Sequence, residues 1–155
     1  MHPTVATFVE EARDRHDVEP AVEEFEDGTK TATDAAEAIG CSVSQIASSI
    51  VMVGDGQVVV VVTSGANRVD EDHIAAVLGV EEVRMADPEE AKSATGWSIG
   101  GVPPICHDSD LPVLFDETLL DHGEVWAAAG TPTAVWPVDP EELVRMADAS
   151  VVNVT

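Results

Sequence analysis

Basic residues are scarce in this chain. Seven Lys and Arg stand against thirty Asp and Glu in 155 residues, a formal net charge of −23, and the only lysines are Lys30 and Lys92. Aromatic residues make up 4%. So acidic a chain with so few aromatics ordinarily leans toward disorder, because self-repulsion grows while the apolar area that offsets chain entropy shrinks. Hydrophobic residues at 45% exclude that outcome. One core is expected, spanning residues 1–155 as a single domain, since roughly 100–200 residues make one compact unit and such a unit buries about two thirds of its unfolded surface.

Other absences narrow the function. Cys41 and Cys106 are the only cysteines, and with no C-x-x-C or Cys/His cluster beside them neither a disulfide framework nor a zinc site is signalled. The longest apolar run, residues 58–62, is far short of the roughly 20 residues a membrane helix needs. His2, Glu10 and Glu11 give the N-terminus neither the basic start nor the apolar stretch of a secretory signal, so a cytoplasmic location without a membrane partner is expected. No P-loop, Rossmann glycine fingerprint, nucleophile elbow or zincin helix is present.

The charge itself has two readings. At molar salt the Debye length falls to about 3 Å, so like charges on a surface barely interact. With lysine so sparse, adaptation to a salt-rich cytosol is the reading favoured here. An acidic face for a metal or other cation is the competing one.

Hydrophobic spacing orders the chain. Val5, Phe8, Val9 and Ala12 recur at helical period, giving a helix that ends before Pro20. Residues 22–26 read as a short strand. Thr31 or Thr33 caps a second helix through Ala35, Ala36 and Ile39, closed by Gly40. Ser42 with Gln45 forms a capping-box pattern that predicts another short helix, its period fading by Ile50. Residues 50–53 and 58–63, around Gly54-Asp55-Gly56, form the strongest hairpin signal, and the second strand reads as central and covered on both faces. Asp70 caps a helix stopped by Gly79. Asp-Pro-Glu-Glu, at Asp87 and again at Asp139, sets a capping Asp before a proline at the first helical position, so two more helices start there. Strands are expected at 111–115, 125–128 and 134–138. Early helices and late strands imply an α+β domain with a mixed, largely antiparallel sheet flanked by short helices.

One segment invites chemistry: Thr95-Gly96-Trp97-Ser98-Ile99-Gly100-Gly101-Val102-Pro103-Pro104, followed by Cys106-His107. Paired glycines let backbone approach a ligand without Cβ interference and can aim N–H groups at an oxygen, and the prolines stiffen the exit. By composition alone a tight structural loop is the favoured reading. This T-G-x-x-I-G-G-V-P-P segment resembles the glycine loop of the YbaK/prolyl-tRNA synthetase-associated domain family, which hydrolyses mischarged aminoacyl-tRNA. Four further segments are similar in order and spacing: Gly28-Thr29-Lys30-Thr31-Ala32, Gln45-Ile46-Ala47-Ser48-Ser49, Thr63-Ser64-Gly65-Ala66-Asn67-Arg68-Val69-Asp70 and Ala128-Ala129-Gly130-Thr131-Pro132.

The resemblance implies a compact α+β fold whose pocket takes the 3′-terminal adenosine of tRNA with its amino acid, and hydrolysis of the ester with no metal or cofactor. The 3′ end of an aminoacyl-tRNA is the implied partner, and an aminoacyl-tRNA synthetase is a second candidate. Gly100 matches the glycine whose amide positions the ester carbonyl, and Gly101 and Pro103 shape the same loop. Ala128 and Gly130 match small residues at the pocket floor. His107, Ser49 and Lys30 are candidate substrate contacts. Ser48 stands where most members carry a lysine important for deacylation, so it is the position on which catalysis turns. Its hydroxyl can offer one hydrogen bond but no charge. A catalytically silent module that binds an aminoacyl-adenosine end or an amino-acid derivative is therefore the alternative expectation, and a regulatory partner of a synthetase a third. Trp97 and Trp136 are candidates to stack on adenine or to fill the core.

Overall fold

Five consecutive valines, residues 58–62, place β3 (Gln57–Ser64) at the centre of the sheet. Val59, Val60, Val61 and Val62 are each 0% exposed, so both faces of this strand are covered, as an unbroken β-branched run requires. The structure is a computed structural model and describes residues 1–25 and 31–155. Val60 and Val62 point toward α1 (Pro3–His16), meeting Val5, Phe8 and Ala12. Val59 and Val61 point the other way, toward Ile74 and Ala75 of α3 (Glu71–Leu78). A smaller cluster sets Ala35 and Ala36 of α2 (Ala32–Ile39) against Ile46.

Among the described residues the remaining elements are β1 (Glu23–Glu24), β2 (Ile46–Gly54), β4 (Val83–Met85), α4 (Pro88–Thr95), β5 (Val113–Asp116), β6 (Val125–Ala128), β7 (Ala134–Val138), α5 (Pro140–Ala147) and β8 (Ser150–Val152). The sheet order is β1-β7-β6-β2-β3-β5-β8, with β4 also on β2. β2 is antiparallel to β3 and β4 and parallel to β6, and the β3·β5 and β5·β8 pairs are parallel. The β1·β7 and β6·β7 pairs are antiparallel. This is the mixed α+β sheet the sequence implied. The β2–β3 turn has positive φ at Asp55 (51°) and Gly56 (78°), the backbone that matches strand twist in a two-residue hairpin.

One expected helix does not form. Ser42 and Gln45 do bond, with the Ser42 N–H donating to Gln45 Oε1 at 3.1 Å, yet they close only a 3₁₀ turn, Val43–Gln45. The next residue opens β2, where Ile46 and Val51 are buried in the sheet and the β-branched side chains suit a strand. Ser48 and Ser49 therefore sit on a nine-residue central strand. Thr31, not Thr33, caps α2, its Oγ1 accepting the Asp34 N–H at 3.1 Å. Residues 22–26 shrink to β1, with residue 26 outside the described range. β4 and β8, three residues each, are too short to carry a period and were not anticipated.

A buried carboxylate holds the turn that leaves β3. Asp116, 1% exposed, accepts from Ser64 N–H (2.9 Å), Asn67 Nδ2 (2.9 Å) and Thr118 N–H (2.9 Å). Ser64 Oγ in turn donates to Ser44 O at 2.9 Å. Burial alone pushes the Asp116 carboxyl up, but these hydrogen bonds outweigh it and hold its pKa below the ordinary value. A group depressed in the folded state contributes stability that is complete above its unfolded pKa and lost as pH falls through the folded one. We expect the melting temperature to fall on acidification below about pH 4. Asp116→Asn should be less stable at neutral pH and lose less on acidification. Parallel melts of the two proteins across this range check it, and equal acid slopes would remove Asp116 from the account.

Candidate active site

The ladder phase of β2 creates the site. Gly65 N donates to Ile46 O at 2.8 Å on the β3 side, and Ala86 N donates to Val51 O at 3.0 Å on the opposite side. Even-numbered β2 residues thus bond β3, and Ala47, Ser49 and Val51 aim their main-chain groups the other way. On that side β6 pairs only as far as Ala47, and β4 begins only at Met52. Ser49 falls in the gap. Among the described residues, its N–H and C=O have no strand opposite them.

A cavity of about 260 Å³ occupies this gap. Ser48, Ser49 and Ile50 wall it from β2, Gly100 and Val102 from the glycine loop, and Trp126 and Ala128 from β6. Successive strand residues alternate faces, so the Ser48 side chain lies on the α2 side with Ile46, and that of Ser49 on the α1 side with Val51. Among the described residues no charged side chain lines the cavity, although the chain carries thirty acids.

The glycine loop is fixed at both ends. Thr95 Oγ1 donates to Ala91 O (2.7 Å) and accepts from Trp97 N–H (3.1 Å), and Trp97 Nε1 donates to Cys106 O (2.9 Å). Gly101 N–H donates to Ser98 O at 3.0 Å, closing a turn whose third residue, Gly100, has φ +90°, where glycine alone is unstrained. Gly130 N–H then donates to Gly101 O at 3.0 Å, clasping this loop to residues 129–132. The Gly100 N–H has no hydrogen-bond partner among the described residues. It remains available to an oxygen held in the cavity.

The structure brings Ser48, Ser49, Gly100 and Ala128 into one cavity wall. Gly101 and Gly130 stand behind it as the clasp. Pro103 is buried, and its carbonyl accepts from His107 Nε2 at 2.7 Å. His107 opens instead on a second cavity with Arg15 and His16, and burial chiefly lowers its pKa, which favours the neutral ring. Lys30 lies outside the described residues. Trp97 and Trp136, 4% and 2% exposed, pack on Phe8 with ring centroids 6.1 and 5.6 Å away, so both serve the core. The aromatic in the cavity wall is Trp126, which sequence reasoning passed over. In β6 buried Val125 and Ala127 alternate with half-buried Trp126, an exposure that only the sheet pairing reveals. Cys106 faces the second cavity with its thiol pushed up to about 12 by burial, which keeps it protonated. Among the described residues no group of three His, Cys, Asp or Glu could hold a metal.

The chemistry open to this cavity is narrow. Among the described residues its polar side chains are hydroxyls and the Trp126 indole, which offer no general base near neutral pH, so these residues can act by orientation and by N–H donation to an oxyanion. An activated ester suits it.

Comparison with known proteins agrees. Residues 26–146 match the family described as Aminoacyl-tRNA editing domain. The chain is 36% identical over 123 residues to the uncharacterized protein YwhH of Bacillus subtilis (strain 168), covering 79% of this chain and 78% of that one. It is 29% identical over 130 residues to the proline--tRNA ligase of Lactobacillus helveticus (strain DPC 4571), covering 84% of this chain but 22% of the ligase. A crystal structure presented as a candidate trans-editing enzyme for prolyl tRNA synthetase superposes with a TM-score of 0.95 at 37% identity, over 100% of this chain and 98% of that one. The chain belongs to the aminoacyl-tRNA editing domain family.

Proposed function

We propose that this protein hydrolyses, in trans, the ester bond of a mischarged aminoacyl-tRNA. The observation that carries the reading is that exposed Gly100, whose N–H has no partner among the described residues, lines the same cavity as the bare edge of β2. Trp126 offers an aromatic face for the terminal adenine, and Ala128 leaves room for a small amino acid. The ester carbonyl oxygen lies toward Gly100. A water, or a water helped by a hydroxyl of the substrate itself, attacks the carbonyl carbon. Negative charge gathers on that oxygen as the C–O bond forms, and the Gly100 N–H stabilises it. Collapse breaks the bond to the ribose oxygen, which leaves with the proton the water gave up. The products are a free amino acid and an uncharged tRNA.

Gly101 and Gly130 keep the donor in place, Pro103 stiffens the loop behind it, and His107 acts on that loop through the Pro103 carbonyl. Ser48 and Ser49 contribute cavity-wall hydrogen bonds, and Lys30 keeps its sequence-based assignment as a substrate contact. A cytoplasmic, salt-adapted setting goes with this reading. Because the chain matches only about a fifth of the proline--tRNA ligase, association with such a ligase is part of the proposal.

The test is release of amino acid from a panel of mischarged tRNAs, including misacylated proline tRNA, in molar KCl. At least one is expected to be deacylated well above the buffer rate, with small amino acids favoured by the cavity. Uniform failure would sink the hydrolase reading. The uncharged Ser48 in the cavity wall favours one second reading, a binder of aminoacyl-adenosine ends, which the same panel separates by binding without release.

A further inference from the structure

Ser49 carries more unmet hydrogen-bonding capacity than the reaction described above uses. Its main-chain N–H and C=O face the gap between β6 and β4 with no strand opposite, and its Oγ is buried without a partner among the described residues. Buried polar groups such as this hydroxyl are otherwise paired more than nine times in ten, and beside two main-chain groups with no strand opposite it marks a place built to be completed by a ligand. An aminoacyl ester brings one group that nothing in the hydrolysis scheme has met, its α-amino group, which donates hydrogen bonds and carries positive charge when protonated. The usual acceptor for such a group is a carboxylate, yet no Asp or Glu lines the cavity among the described residues. One main-chain acceptor there that the sheet fixes and no strand pairs is the Ser49 carbonyl, placed on the wall opposite Gly100.

We infer that the bare main chain of Ser49 is the α-amine anchor of the site: its C=O accepts from the α-amino group while Gly100 N–H takes the ester carbonyl. This rests on the cavity being an aminoacyl-ester site, and it makes Ser49 a positioning residue whose function lies in its backbone. Two points, one acceptor and one donor, on opposite walls orient the acyl group and fix which face of the carbonyl the water meets. It also makes the α-amine itself a binding determinant, so acyl groups lacking it should bind less tightly.

The probes are 3′-deoxy-3′-(L-alanylamino)adenosine and its propionylamino counterpart, two non-hydrolysable adenosines that differ only by the α-amine. Calorimetry in molar KCl gives affinity, and the amide resonances of Gly100 and Ile50 report the two contacts, the Ile50 N–H sharing a peptide unit with the Ser49 carbonyl. The alanyl compound is expected to bind about ten- to a hundredfold more tightly and to shift both resonances. The propionyl compound, though more apolar, should shift Gly100 alone. Ser49→Ala, which removes the hydroxyl and leaves the main chain, should keep the preference. Equal affinities, an unmoved Ile50 amide, or loss of the preference in Ser49→Ala would each overturn the anchor. If deacylation of the tRNA panel persists in any of those cases, the hydrolase reading survives and only the anchor falls. Binding of neither adenosine overturns the anchor whatever the panel shows.

Discussion

Gly101→Ala is expected to cut kcat/KM for deacylation by about a hundredfold or more, with a visible drop in melting temperature. A Cβ at this position would stand 2.6 Å from Thr131 Cα and 2.8 Å from the Gly130 carbonyl carbon and oxygen. All three are backbone atoms, so no side chain can swing aside, and the clasp from Gly130 N–H to Gly101 O must open. The neighbour that then moves is Gly100, whose N–H is assigned to the oxyanion. Losing one such donor costs about 10²–10³ in rate, and a misplacement of about 1 Å can cost roughly a hundredfold. Gly123→Ala is the control, since nothing lies within 4 Å of its added Cβ. Single-turnover deacylation and a melt of each variant check the pair. A Gly101→Ala enzyme within threefold of the natural rate would mean that the Gly100 amide does not need its fixed position.

How much of this was legible in the sequence differs by element. Helix boundaries were, because they rest on local chemistry: Asp70, Asp87 and Asp139 precede their helices and Gly40 and Gly79 follow theirs with φ of 86° and 73°. The valine run announced the central strand. What local chemistry could not show is pairing. The capping box at Ser42 and Gln45 is real, yet whether Ile46 continues a helix or opens a strand is decided by β3 and β6, which arrive from elsewhere in the chain. The site followed the same division. Gly100 announced itself by a glycine pair, and Ser48 and Ala128 by position in a motif. The cavity, however, exists because β6 stops pairing at Ala47 and β4 starts at Met52, a mismatch of strand lengths that no residue type encodes. For the same reason Trp126 was overlooked in favour of Trp97 and Trp136. All three look alike in a sequence, and only the sheet decides that two of them pack against Phe8.

The acidic surface also looks different beside the structure. The four ion pairs among the described residues are all solvent-exposed at one or both partners, as in Arg84–Glu90 at 2.7 Å, and such pairs contribute about 0–1 kcal/mol each. They do little to offset a charge of −23. Stability rests on the two apolar layers around β3, where each fully buried Val, Leu or Phe is worth about 1.5–3 kcal/mol. Salt has only to relieve repulsion, and the cavity, with no carboxylate among the described residues that line it, stands apart from that repulsion.

That contrast sets up the second large effect. Ser48→Lys is expected to raise kcat/KM for deacylation about ten- to a hundredfold, because a charge-assisted contact to the terminal nucleotide or aminoacyl group is worth roughly 1.5–3 kcal/mol. The position suits it: Ser48 lines the cavity from the α2 face of β2, pairs across the ladder with Thr63, and is half-buried, so a long side chain can run along apolar wall while its ammonium stays in water. The surrounding acids would compete for that ammonium, and molar KCl would screen both attractions. The gain should therefore be largest at the lowest salt the fold tolerates and shrink as KCl rises. Ser48→Met supplies the decisive comparison, since it brings similar bulk and no charge. A methionine variant that gains as much as the lysine variant would show that filled volume, and not charge, was missing. Hydrolysis appearing only in Ser48→Lys would make the natural protein a binder of aminoacyl ends, with Ser48 as the residue that separates binding from turnover.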